Sequence, residues 1–219
     1  FSLDLIVIFV VTCIFATSVW IGLEKGIKRL SDLNVTMAIL LLAFSLIVGP
    51  TLFMVEMGVE SLGHMVQNFV RMSTWTDPLG TSDFVESWTV FYWAWWLALG
   101  PYMGIFITKI SKGRTLKQLI LGCVCFGTLG CFLFFSILGN YAAYLELNDL
   151  YPVLDTLESQ GPATLIVAVL GTLPMSSLIL FVFTLVCVIF AATSYDSASY
   201  TLAASATQSL DSDEHPARW

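Results

Sequence analysis

Apolar and polar positions do not alternate along this chain. They arrive in blocks. Uncharged, mostly apolar runs extend from Leu5 to Leu23, from Leu33 to Val55, from Ser87 to Thr108 and from Gln118 to Leu145. A fifth lies between Glu158 and Asp196 and continues to about Ala206. Crossing about 30 Å of hydrocarbon at 1.5 Å per residue takes roughly 20 residues, and each block reaches that length. The pattern predicts an all-α, polytopic membrane bundle with spans at about 5–23, 33–55, 87–108, 118–145 and 174–206. The last block is too long for one plain span. Pro162 and Pro174 interrupt it, so 146–173 reads as an outer loop with a short helix over 162–172. The span proper begins near Pro174, where proline suits a helix start. Between the second and third spans, Val59, Leu62, Met65, Val66, Phe69 and Val70 recur at helical spacing. They predict an amphipathic surface helix within an outer loop over 56–86.

Composition agrees with the blocks. The 219 residues are 57% hydrophobic and 11% charged, against about 25% charged in an ordinary soluble domain. Lysine and arginine set the orientation. Lys25, Lys28 and Arg29 lie between spans one and two, and Lys109, Lys112, Arg114 and Lys117 between spans three and four. The other two loops carry only Arg71. Spans one, three and five therefore run inward, and the tail with Asp211, Asp213 and Glu214 is cytoplasmic. A net charge of −7 gives no reason to expect a nucleic-acid partner. The five cysteines all fall inside apolar blocks, and Cys123-x-Cys125 lacks the spacing and histidine company of a zinc site. No phosphate-binding glycine loop and no Ser/His/Asp set is present, so neither an enzyme nor a bound cofactor is expected. The chain starts at Phe1 four residues before a span, which reads as an internal piece of a longer protein.

The third block carries the candidate chemistry. Four of the seven tryptophans fall between Trp88 and Trp96, in Trp88-Thr-Val-Phe91-Tyr92-Trp93-Ala-Trp95-Trp96. At 100° per residue, Trp88, Tyr92, Trp95, Leu99 and Tyr102 share one stripe, flanked by Phe91, Trp96 and Met103. An interfacial belt explains Trp88, at the outer end. It explains Trp95 and Trp96 less well, since they stand about 15 Å in from Glu86. Helix packing is one reading of those two residues; an aromatic cage is the other. A quaternary ammonium ion has no N–H to donate, so ring faces are what grips it, at about 0.5–2 kcal/mol each. Gly100-Pro101 follows near mid-membrane and predicts a discontinuous helix, the kind that lines transporter sites.

The same segment, with Gly104-Ile-Phe-Ile-Thr-Lys-Ile-Ser-Lys-Gly113-Arg114-Thr115 after it, resembles the signature of the betaine/carnitine/choline transporter family. Gly26-Ile-Lys-Arg-Leu-Ser-Asp-Leu-Asn34 and Gly49-Pro50-Thr51 are similar to that family's sixth and seventh spans. The resemblance implies spans six to ten of a five-plus-five inverted-repeat (LeuT-like) fold in a bacterial plasma membrane, and a homotrimer. It implies that Trp95 and Trp96 wall the substrate pathway, with Phe91, Tyr92 and Leu99 lining it. Leu99 stands where family members often carry an aromatic, which implies a wider cage. The solute would be glycine betaine, choline, carnitine or a sulfonium analogue.

The fifth span contains Thr193-Ser194-Tyr195-Asp196-Ser197. Sodium is a hard cation that takes oxygen ligands, and in sodium-coupled relatives a Thr-Ser pair at this place supplies them. Thr193 and Ser194 match, which implies sodium as the coupling ion. Hydroxyls bonding back to their own helix are the structural alternative. Asp196 reads as an organiser of this polar turn. A sodium-independent exchanger and a LeuT-like carrier of another solute, such as an amino acid, are the rival functions.

Overall fold

The computed structural model describes residues 5, 7–13, 16, 23–80 and 83–207. The side chains at 23–27, 109 and 110 are not among those described. Residues 7–13 are helical, while the rest of the span expected over 5–23 lies mostly outside the described residues. So does the acidic tail with Asp211, Asp213 and Glu214.

The described residues form helices and connecting turns, with no strand among them. In chain order they are α1 (Leu23–Val48), α2 (Thr51–Gln67), α3 (Phe69–Ser73), a π-helical turn Val85–Val90 running into α4 (Phe91–Ile110), and α5 (Leu116–Phe134). A second π-helical turn, Phe135–Gly139, leads into α6 (Asn140–Leu147), followed by α7 (Val153–Gly171) and α8 (Ser176–Ala206). Four segments are long and apolar enough to cross a bilayer: Lys28–Val48, Val85–Thr108, Leu116–Leu147 and Ser176–Ala206. The third has 32 residues, about 48 Å at helical rise, so it outruns the hydrocarbon layer or tilts within it.

The chain divides into two compact units. The first takes Phe1–Ser61 with Gly122–Asp196. Its core is built from Leu41 and Leu42 of α1, Met54 of α2, Ile137, Tyr141 and Leu145 around α6, and Val153, Val169, Leu170, Leu173 and Ile179 beyond.

The expected span over 33–55 is two helices here, because the chain breaks at Gly49-Pro50. Pro50 has no N–H to give the Leu46 carbonyl. The Thr51 hydroxyl gives one instead, at 2.6 Å, so the end of α1 is capped and not orphaned. Gly49 is required at this corner. A Cβ there would stand 2.7 Å from the Ser45 carbonyl oxygen and 2.8 Å from Met54 Cε.

α2 then passes close to the second π-helical turn. Gly58 leaves room for Ser136, whose Cβ would be 3.2 Å from an added methyl. The Asn140 amide donates to the Met54 carbonyl at 3.2 Å. Phe53 meets Tyr144 edge to face at 5.3 Å.

Over the loop expected at 146–173, the Glu146 carboxylate accepts the backbone N–H groups of Val153 at 2.5 Å and Leu154 at 3.2 Å. A carboxylate at a helix N-terminus satisfies donors that the helix leaves open. α7 kinks at Gly161, whose φ of 82° and ψ of 171° are non-helical. Pro162 opens the second piece, which ends where Thr172 meets the Tyr141 hydroxyl at 2.8 Å.

The second unit takes Leu62–Leu121 with Ser197–Trp219. Within it, the Tyr102 hydroxyl of α4 donates to the Ala198 carbonyl of α8. Phe106 packs edge to face on Tyr200 at 6.4 Å. The amphipathic positions from Leu62 onward fall on the end of α2 and on α3, separated by a turn at Asn68 whose side chain donates to the His64 carbonyl at 3.0 Å. Glu56, a flank of the second span by sequence, is inside α2.

Candidate functional site

The aromatic run begins on the π-helical turn Val85–Val90 and continues down α4. A π turn bonds i to i+5 and fits one more residue into the coil, which occurs often at functional sites. Fixed 100° arithmetic therefore places the rings only approximately. Phe84 and Trp88 stack at 6.4 Å, and Trp88 and Tyr92 at 6.0 Å. Phe91 meets Tyr92 at 5.5 Å and Trp95 at 5.7 Å. Phe91, placed by sequence on the flank, is thus the ring that joins Tyr92 to Trp95. Trp75 extends the series at the outer end, 6.1 Å from Phe84, and periodicity did not point to it.

These rings present their faces openly. Phe91, Tyr92, Trp95 and Trp96 are 50%, 47%, 49% and 63% exposed, and Leu99 is half-buried. Ring pairs at these spacings contribute about 0.5–1.5 kcal/mol each beyond burial, enough to hold the rings in register along the helix while one surface stays free. Tyr102 differs. Its hydroxyl is committed to Ala198, so it belongs to the α4–α8 contact and not to the open face.

The discontinuity expected at Gly100-Pro101 does not occur. α4 continues through Pro101 to Ile110. Proline forfeits only the bond to Leu97, and the turns on either side carry the helix past it.

The polar segment of α8 lies at the end of the first unit. The Thr193 hydroxyl donates to the Phe190 carbonyl at 3.0 Å, the back-bonding that short hydroxyls favour in apolar helices. A hydroxyl that donates still has oxygen lone pairs to offer a cation. Ser194 is exposed and Asp196 fully buried. In the second unit the helix goes on with Thr201, fully buried and donating to Ser197 at 2.8 Å. Among the described residues no group of three or more His, Cys, Asp or Glu could hold a metal ion. Any cation bound by this segment would rely on hydroxyl and carbonyl oxygen.

An all-helical chain with four membrane-length helices and an uncovered aromatic face on one of them is a polytopic membrane protein. It belongs to the betaine/carnitine/choline family: the family model described as "BCCT, betaine/carnitine/choline family transporter" matches residues 1–219. The chain is 38% identical over 218 residues to the uncharacterized transporter YeaV of Escherichia coli, covering 100% of this chain and 45% of that protein. It is 35% identical over 216 residues to a carnitine transporter of Acinetobacter baumannii (99% of this chain, 39% of that one). It is 36% identical over 205 residues to the glycine betaine transporter OpuD of Bacillus subtilis (92% and 39%). The chain thus spans less than half the length of these curated relatives.

Proposed function

We propose that this chain forms part of a secondary transporter that moves a quaternary-ammonium or related compatible solute across the plasma membrane, coupled to sodium. The carrying observation is the open aromatic face from Phe91 to Trp96, with Phe91 joining Tyr92 to Trp95 at 5.5 and 5.7 Å. Such a surface suits a cation that offers no hydrogen-bond donor. Trp95 and Trp96 wall the path, Phe91 and Tyr92 line it, and Leu99 closes its inner end with an aliphatic side chain. The names of the relatives, a carnitine and a glycine betaine transporter, support this solute class.

Thr193 and Ser194 supply oxygen to sodium in this reading. Binding the ion lowers the energy of the solute-competent state, so both cross together by alternating access between the two halves of an inverted-repeat fold.

The test is uptake of labelled glycine betaine, choline and carnitine by the complete protein in proteoliposomes, with and without an inward sodium gradient. Sodium-driven uptake that collapses in Trp96→Leu supports the reading. No flux of any of the three would return the tryptophans to a packing role. A second reading, sodium-independent exchange, is favoured by one observation: the Thr193 hydroxyl already bonds to Phe190. Uptake indifferent to sodium would select it.

A further inference from the structure

The connection between α4 and α5 carries Lys109, Lys112, Arg114 and Lys117. The sequence between Glu86 and Glu146 contains no acidic residue, so no carboxylate nearby in the chain neutralises them. The connection is short and shaped. One membrane-length helix ends at Thr108 and the next begins at Leu116. Between them the Arg114 N–H bonds to the Ser111 carbonyl at 3.0 Å, and Gly113 takes a φ of +83°. Thr115 and Gln118 cap α5 reciprocally: the Thr115 N–H donates to Gln118 Oε1 at 3.0 Å, and the Gln118 N–H donates to Thr115 Oγ1 at 3.3 Å.

Two consequences follow. The capping pair occupies the first amide of the turn, so the cationic side chains, and not the helix end, are what this corner offers an anion. The corner also cannot reach away from the bilayer. Arg114 and Lys117, both exposed, stand within about one helical turn, roughly 5 Å, of a span end. That depth is the headgroup layer, well inside a Debye length of about 8 Å at physiological salt.

We propose that the 109–117 corner is a binding site for the headgroup phosphate of an anionic phospholipid in the leaflet it faces. Arg114 supplies a planar fork that matches phosphate, and Lys117 and Lys112 add point charge. Each cation near a charged leaflet raises lipid binding roughly fivefold. The proposal does not depend on the transport reading, because its readout is lipid retention.

The experiment measures the preference of the complete protein for spin-labelled phosphatidylglycerol over phosphatidylcholine in mixed vesicles. Wild type is expected to prefer phosphatidylglycerol. Arg114→Gln with Lys117→Gln is expected to cut that preference at least fivefold. The charge-preserving pair Arg114→Lys with Lys117→Arg is expected to keep most of it, which controls for folding and orientation. An unchanged preference in the neutralised protein would overturn the proposal. So would full competition by millimolar inorganic phosphate, which would make the site one for a free anion. A preference that the neutralised protein regains when Asp211, Asp213 and Glu214 are also neutralised would overturn it too, by assigning the cations to the chain's own acidic tail.

Discussion

The side-chain amide of Asn140 donates to the backbone carbonyl of Met54 at 3.2 Å, joining residues 86 positions apart. Helix geometry already gives that carbonyl the N–H of Gly58, so the amide is a second donor. Asn140→Leu is therefore expected to lower stability by only about 0.6 kcal/mol, the usual scale for side-chain bonds between membrane helices. Asn140→Asp is expected to cost more, since it sets a carboxylate oxygen against a carbonyl oxygen. Thermal unfolding of the complete protein in detergent measures both. The reverse order would mean that packing volume, and not the bond, holds this contact.

The two tight glycines of the first unit predict a ranking. At Gly49 a methyl group would meet backbone, the Ser45 oxygen at 2.7 Å, and backbone cannot move aside cheaply. At Gly58 it would meet the Ser136 side chain at 3.2 and 3.3 Å, where a few tenths of an ångström suffice. Gly49→Ala is expected to cost about 1–3 kcal/mol, as overpacking does, and Gly58→Ala less than about 1 kcal/mol. Unfolding midpoints in detergent, compared side by side, decide the order.

Thr193→Ala separates the ion from the fold. Its hydroxyl satisfies only a local carbonyl at 3.0 Å, so removal is expected to change stability by less than about 0.5 kcal/mol. If the same oxygen binds sodium, the sodium concentration for half-maximal uptake rises on the order of tenfold, or about 1.4 kcal/mol. A variant with unchanged sodium dependence would leave Thr193 as a helix residue and nothing more.

Leu99→Tyr adds a ring at the inner end of the aromatic face. One further cation–π contact is worth about 0.5–2 kcal/mol, so affinity for a quaternary ammonium solute is expected to rise by about twofold to thirtyfold. Uncharged solutes of the same size should gain nothing. Competition against labelled betaine checks this, and equal gains for both kinds of solute would point to a smaller cavity instead of a cation site.

Membrane helices were legible in the sequence because twenty uncharged residues have few other uses, and the aromatic face was legible because tryptophan is rare. The two prolines show where sequence reading stops. Pro50 and Pro101 both follow glycine, yet only the first ends a helix. The difference lies in neighbours distant in sequence or in fine geometry. Gly49 is wedged between Ser45 and Met54, and Thr51 stands ready to take the Leu46 carbonyl. Gly100 has open space around it. The commitment of Tyr102 to Ala198 was likewise invisible, because nothing in a helical period marks which aromatic will find a carbonyl ninety-six residues on. The π-helical turns left no trace either, since hydrophobic periodicity records which side faces inward and not how many residues complete a turn.

Those turns carry a consequence for how the chain tolerates change in length. Each stores one surplus residue inside a continuous helix, at Val85–Val90 and at Phe135–Gly139. Deleting one residue from Val85–Val90 would relax the coil to the ordinary pitch without opening a loop, and the helix would survive. Everything on one side of the deletion would then be rephased by roughly 100° against the other. Phe84 and Trp88 would part from Tyr92 and Trp95, and the ring series would split into two halves facing different ways. Length in this helix is thus a setting for direction: a lineage could swing the lower rings to a new face in one step, while the same deletion in the connection at 74–84 would leave their direction untouched.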